Sequence, residues 1–255
     1  MRNYWHITSA ALALLGQIAA AAPPAAPAPL VSDRPGFTNS SEVVGPGVTQ
    51  LEAGVARTTT SFLNGGGQTT DLPQATLRRG LTQTLELRIG LPDYFSSKTN
   101  GSGFGDGSLG LKWKFYQSKN GNTKVALTPS LVIPSRQRVY SSGQYDPAVT
   151  LGAQTVSGAR WGVSTNLTLS NPTVNGQRLF TVSPSAAVSY QITQALSAYG
   201  DVFDSFPKQS LPTPIADGGF TYLVTPNLQL DAETGIGLGG SAPVRFYSGG
   251  VAIRF

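Results

Sequence analysis

From about residue 47 to the last residue, apolar side chains recur at every second position, and no useful stretch carries them at helical spacing. In 84–91, Leu85, Leu87, Ile89 and Leu91 share one face, opposite Thr84, Glu86, Arg88 and Gly90. In 108–115, Leu109, Leu111, Trp113 and Phe115 oppose Ser108, Gly110, Lys112 and Lys114, and residues 228–237 repeat the pattern. With 30 Gly and 18 Pro, the chain cannot be built on long helices, and no run of 18 apolar residues could span a bilayer as one. The alternation predicts twelve strands, near 47–59, 73–79, 83–91, 107–116, 123–133, 147–156, 160–169, 179–189, 195–203, 216–224, 227–237 and 244–255.

The connections alternate in length. Long ones fall at 61–72, 92–106, 134–146, 170–178 and 204–215; the short ones are 80–82, 117–122, 157–159, 190–194 and 225–226. A soluble β-sandwich also alternates polar and apolar positions, but it needs two packed sheets and crossing connections. Neighbour-to-neighbour turns describe a meander closing on itself. The expectation is an all-β fold, a transmembrane antiparallel up-and-down β-barrel of about twelve strands in the outer membrane, with short periplasmic turns and long external loops.

Three sections are expected along the chain: a cleaved secretory signal at 1–22, a Pro/Ala linker and N-terminal segment at 23–46, and the barrel at 47–255. Arg2, an apolar run from Ala10 to Ala20 and the small residues Ala19–Ala22 carry the signal. Cleavage would remove His6 and Met1, the single His and Met, and leave 17 basic against 13 acidic residues. Without His or Cys, a mature chain cannot form a Ser-His-Asp triad, a Cys-His pair or an imidazole-held metal. Neither an enzyme nor a bound cofactor is therefore expected. Lys and Arg are scattered among acids with no basic stripe, which speaks against nucleic acid as a partner.

The polar strand faces carry Glu52, Arg78, Glu86, Arg88, Lys112, Lys114, Lys124, Asp201, Asp231, Glu233 and Arg254, the candidate lining of a lumen. These residues either line a solute path or pair across the lumen as a stabilising network. Phe115, Trp161, Tyr190, Tyr222 and Phe255 beside the short turns, and Phe95, Tyr140, Phe180, Phe203 and Tyr247 towards the long loops, read as two aromatic belts. The C-terminal strand, with Ser248, Gly250, Ile253 and Phe255, resembles the signal by which barrel-assembly machinery recognises its clients. Asp33–Ser40 is polar and turn-rich. Residues 30–44 are expected either to fold into the periplasmic half of the lumen as a plug, with Asp33 and Arg34 meeting charges such as Arg254, Glu233 or Glu52, or to form a tether.

Ser32-Asp33-Arg34-Pro35-Gly36-Phe37-Thr38-Asn39-Ser40 resembles the D-R-P-x-x-T-x-S opening of the MetA-pathway phenol-degradation family, often labelled transporters. The likeness continues in Gln50–Gly54, Leu77–Thr82, Leu85–Arg88, Gly105–Gly107, Asp217–Tyr222 and Asn227–Asp231; Gly36 departs from the family's common acidic residue. The resemblance implies an outer-membrane barrel that passes hydrophobic or aromatic compounds, with no catalytic residues to carry over. The leading expectation is a passive channel whose partners are small-molecule solutes and outer-membrane lipids. The alternatives are a non-transporting surface barrel whose long loops bind a partner and a barrel hydrolase using Ser and carboxylates without His.

Overall fold

The computed structural model describes residues 30–61, 66–135, 137 and 139–255; the expected signal at 1–22 lies outside the described residues. The strands in chain order are β1 (Thr49–Thr60), β2 (Gly67–Leu72), β3 (Thr76–Gly80), β4 (Leu85–Gly90), β5 (Tyr94–Ser97), β6 (Gly101–Phe104), β7 (Gly107–Gln117), β8 (Thr123–Ile133) and β9 (Asp146–Ser157). They continue with β10 (Trp161–Ser170), β11 (Thr173–Val174), β12 (Gln177–Arg178), β13 (Thr181–Gln191), β14 (Leu196–Phe203), β15 (Phe206–Pro207), β16 (Ile215–Thr225), β17 (Leu228–Gly237) and β18 (Arg245–Arg254).

Twelve of these close an antiparallel barrel: β1, β3, β4, β7, β8, β9, β10, β13, β14, β16, β17 and β18, each bonded to the next. β18 returns to β1 in register from Gln50↔Arg254 to Thr59↔Arg245, so no barrel edge is left to unsatisfied backbone groups. Each of the twelve matches an expected strand to within about three residues. The other six stand in the long connections. β2 pairs with the upper half of β1, β5 with β2 and β6 with β5, so this part of the wall rises past the rim. Their sequences are short and rich in Gly, Ser and Thr, and carry no apolar alternation to reveal them.

The barrel is apolar outside and charged inside. The largest fully buried side chains are Arg78, Lys112, Gln50 and Glu86, whereas Leu109, Leu111, Trp113, Phe115, Leu167, Phe220 and Tyr222 are exposed. Along β10 the exposed positions are Trp161, Val163, Thr165, Leu167 and Leu169, alternating without a break with inward Gly, Ser, Asn and Thr. A belt of exposed apolar side chains around a closed barrel is stable only where lipid covers it. Trp113 packs on Phe115 at 5.5 Å and Trp161 on Tyr190 at 4.7 Å at the short-turn end.

Phe203 corrects the belt reading. It lies on the inward face of β14 beside Asp201 and stacks on Phe37 at 4.7 Å, inside the barrel. Phe95 stacks on Tyr140 at 4.8 Å, tying β5 to a long loop. The composition of a rim segment does not distinguish a ring facing lipid from one facing the lumen; only strand parity does.

Candidate functional site

Residues 30–48 lead to β1 through the barrel, and the packing starts earlier than the Pro/Ala composition suggests. Leu30 is buried, and the Val31 carbonyl accepts from Gln50 Nε2 and Arg78 Nη1, each at 3.0 Å. At Asp33 and Arg34 the chain sends opposite charges to opposite sides.

On one side stand Arg78, Arg88, Lys112, Lys114 and Lys124, from β3, β4, β7 and β8. Asp33 Oδ2 lies 2.5 Å from Arg88 Nη1, 2.8 Å from Lys112 Nζ and 3.6 Å from Arg78 Nη1. Burial alone would raise the Asp33 carboxyl; Arg78, Lys112 and Arg88 outweigh it and hold Asp33 well below the usual carboxylate range. Arg78, with no exposed surface, also binds Glu52 at 2.7 Å and Glu86 at 2.8 and 2.9 Å. Further along, Glu42 pairs with Lys114 at 3.0 Å and with Lys124, and these contacts lower its carboxyl against the upward pull of burial. The Val44 N–H donates to Glu86 at 2.8 Å.

Across the lumen, the inward charges of β14, β16 and β17 are Asp201, Asp217, Asp231 and Glu233, all acidic. Arg34 crosses to them: Nη2 lies 3.1 Å from Asp231 and 3.0 Å from Ser248, and Nη1 donates to Gln74 at 3.0 Å. The backbone N–H groups of Phe37 and Thr38 donate to Asp201 at 2.8 and 2.7 Å, and that of Gly36 to Glu233 at 2.8 Å. The Tyr199 hydroxyl stands 2.7 Å from Glu233 and 3.0 Å from Asp217.

Three glycines make this fit possible. Gly36 has φ +92°, and a Cβ there would meet the Tyr199 ring at 3.0 Å and Asp201 Oδ2 at 3.1 Å. An acidic residue at 36 would set a carboxylate against Asp201, a physical reason for glycine where the family pattern has an acid. The Arg34 guanidinium lies against Gly54 and Gly250, which pair in register, and a Cβ on either would overlap it.

All eleven expected lumen residues lie on inward-facing strand positions. The structure brings Glu52, Arg78, Glu86, Arg88, Lys112, Lys114 and Lys124 together on one side and Asp201, Asp231 and Glu233 on the other. Arg254 stands apart, at the short-turn rim, bonded to the Pro226 carbonyl at 3.1 Å and to Asn227 at 2.9 Å. The cations that meet Asp33 are Arg78, Arg88 and Lys112 instead, because strand stagger sets the height of each side chain and alternation does not encode it. Ser248 and Gly250 face the lumen and serve Arg34, while Ile253 and the exposed Phe255 face outward. Sequence reading missed Asp217, Gln50, Tyr199 and Glu42. Asp217 has the same parity as its strand's other inward positions and could have been found by it; Glu42 lies outside any strand and had no such signal.

Cavities lie on both sides of the inserted segment. One of about 490 Å³ opens towards the long loops between Thr58, Ser108, Phe246 and Arg34; another of about 150 Å³ lies towards the short turns between Arg34, Ser189, Ser197 and Thr221.

The structure is similar to solved outer-membrane proteins. An outer membrane channel from Pseudomonas putida F1 superposes with a TM-score of 0.65 at 14% identity, over 85% of this chain and 98% of that one. The NanC porin gives 0.58 at 9% identity over 80% and 98%, and the KdgM porin 0.55 at 9% over 81% and 99%. A search of curated proteins found no match. The model of the family described as "Putative MetA-pathway of phenol degradation" matches residues 32–255, and this β-barrel chain belongs to that family.

Proposed function

We propose that the barrel is a passive channel for small molecules, that residues 30–46 narrow it as a plug, and that its solutes are hydrophobic or aromatic compounds, the class implied by the family resemblance. The observation that carries this reading is the unfilled lumen. A barrel serving only as a scaffold would pack its interior, as small barrels do; here two cavities flank a thin inserted segment. The wall charges would then line the path, and the solved proteins of the same fold are themselves a channel and porins. Solute flux into liposomes is the test: flux above that of protein-free liposomes supports a channel, whereas its absence with a folded barrel supports a non-transporting surface protein.

The outward face of β18 completes the proposal. Ile253 and Phe255, the latter 71% exposed, offer assembly machinery an apolar edge, and the Phe255 N–H closes the barrel on the Thr49 carbonyl at 2.8 Å. Deleting Phe255 should lower the heat-modifiable, membrane-inserted yield with synthesis unchanged; equal yield would remove the residue from the signal.

A further inference from the structure

One corner of the outer wall, at the long-loop end, is basic and faces away from the lumen. Arg57 on β1 stands opposite Tyr247 on one side and Thr70 on the other, and Thr70 stands opposite Ser96. Two residues nearer the loops, Thr59 stands opposite Arg245 and Gln68. Ala56, Thr58 and Phe246 line the lumen cavity, so Arg57 and Arg245, at the alternate positions, point outward, and both are exposed. As diagonal neighbours on one face they stand about 7–8 Å apart. Lys98, exposed in the turn after β5, joins them along a groove of about 440 Å³ lined also by Gln68, Thr70, Ser96 and Thr99. Gly67, at φ +110°, keeps the groove narrow-walled, since a Cβ there would meet Thr99 Oγ1 at 2.7 Å.

Among the described residues no carboxylate neutralises these cations. The segments that build the corner, 58–70, 94–105 and 238–249, contain no Asp or Glu, and Asp71 turns into the lumen, where it accepts from Gln74 at 2.6 Å. Arg57 reaches only the Gln68 amide oxygen, at 2.5 Å, and neither Lys98 nor Arg245 is paired with an acid among the described residues. Towards the short turns the same face becomes apolar: Val55, Leu72, Tyr94 and Phe104 are exposed, and the Tyr94 and Phe104 rings lie 5.2 Å apart. Arg57 is eight residues along β1 from Thr49 at the short-turn rim. That is about 26 Å of strand, or about 20 Å of height at a tilt near 40°, close to the far edge of an apolar band about 25 Å tall. Cations without a counter-ion at the edge of hydrocarbon are costly, and a phosphate set above acyl chains removes that cost while matching the guanidinium fork.

The geometry points to a binding site for a phosphate-bearing lipid of the outer leaflet, its phosphate held by Arg57, Arg245 and Lys98 and its acyl chains laid over Val55, Leu72, Tyr94 and Phe104. The site lies outside the lumen and stands whether or not the barrel conducts. The test titrates the full chain, in micelles of a neutral detergent, with lipid A carrying its phosphates and with the same lipid dephosphorylated, and counts the bound lipid by native mass spectrometry. The phosphorylated lipid should bind at least about tenfold more tightly than the dephosphorylated one, and inorganic phosphate should not displace it at equal concentration. Arg57→Gln combined with Arg245→Gln should weaken binding by about tenfold, whereas Arg79→Gln, an exposed arginine at the opposite rim bound to the Gly47 carbonyl, should bind as the parent does. Lys98 lies outside every barrel strand, so Lys98→Gln gives a second reading if the double variant fails a check of heat-modifiable mobility. Equal binding of the two lipids, parental affinity in whichever of these groove variants fold, or an equal loss in Arg79→Gln would overturn the site. Displacement by equimolar inorganic phosphate would overturn it as well, by marking a site for the free anion.

Discussion

The two sides of the lumen hold the same segment by different means. On the side of β3, β4, β7 and β8, carboxylates and cations interlock: Arg78 serves Glu52, Glu86 and Asp33, and Lys114 and Lys124 share Glu42. On the side of β14, β16 and β17, carboxylates predominate, met by backbone N–H groups, the Tyr199 hydroxyl and Arg34. Asp217 Oδ2 and Asp231 Oδ2 are buried there without a partner among the described residues. One side is electrostatically closed and acts as an anchor. The other carries surplus negative charge.

The largest effect is expected at the closed side. Replacing Arg78 by Met leaves Glu52, Glu86 and Asp33 short of their shared cation, and uncompensated buried charge costs about 3–5 kcal/mol. Urea unfolding of the barrel in vesicles should register it; a loss below about 1 kcal/mol would mean that the network is not the anchor. Next comes the pair of variants that compares the two grips. Asp33→Asn removes the anion from three cations and should undock the segment, raising single-channel conductance. Asp201→Asn keeps an acceptor for Phe37 and Thr38 and should weaken docking by only about 1–2 kcal/mol. Equal conductance changes in the two would erase the distinction.

The smallest effect concerns pH. Asp33 and Glu42 are held below their ordinary values in the folded protein, so their contribution is fully present above the ordinary carboxylate range, about pH 4, and is lost only as pH falls through the lowered values. The share of docking held by Asp33 and Glu42, read as conductance, should therefore stay flat from about pH 7 to about pH 5. A rise within that window would assign the hold to groups other than Asp33 and Glu42.

How much of this was legible depends on what a period of two encodes. It encodes the face of each residue, so Lys112 and Glu86 could be placed inside and Leu109 and Trp113 outside from the letters alone. It does not encode height or partner. Arg34 and Asp231 are 197 residues apart and meet because the barrel closes with a particular stagger, which no local pattern states. The strands of the long connections were illegible for another reason: β2, β5 and β6 are held by pairing to a rising edge of β1, which is tertiary context, not propensity.

The central claim is that residues 30–46 narrow a conducting barrel. Single-channel recording of the full chain beside a variant lacking residues 23–44, in the same bilayer and with folding checked by heat-modifiable mobility, tests it most directly. The account predicts a clear rise in unitary conductance for the shortened barrel. Unchanged conductance with intact folding would contradict it and leave the segment as a tether.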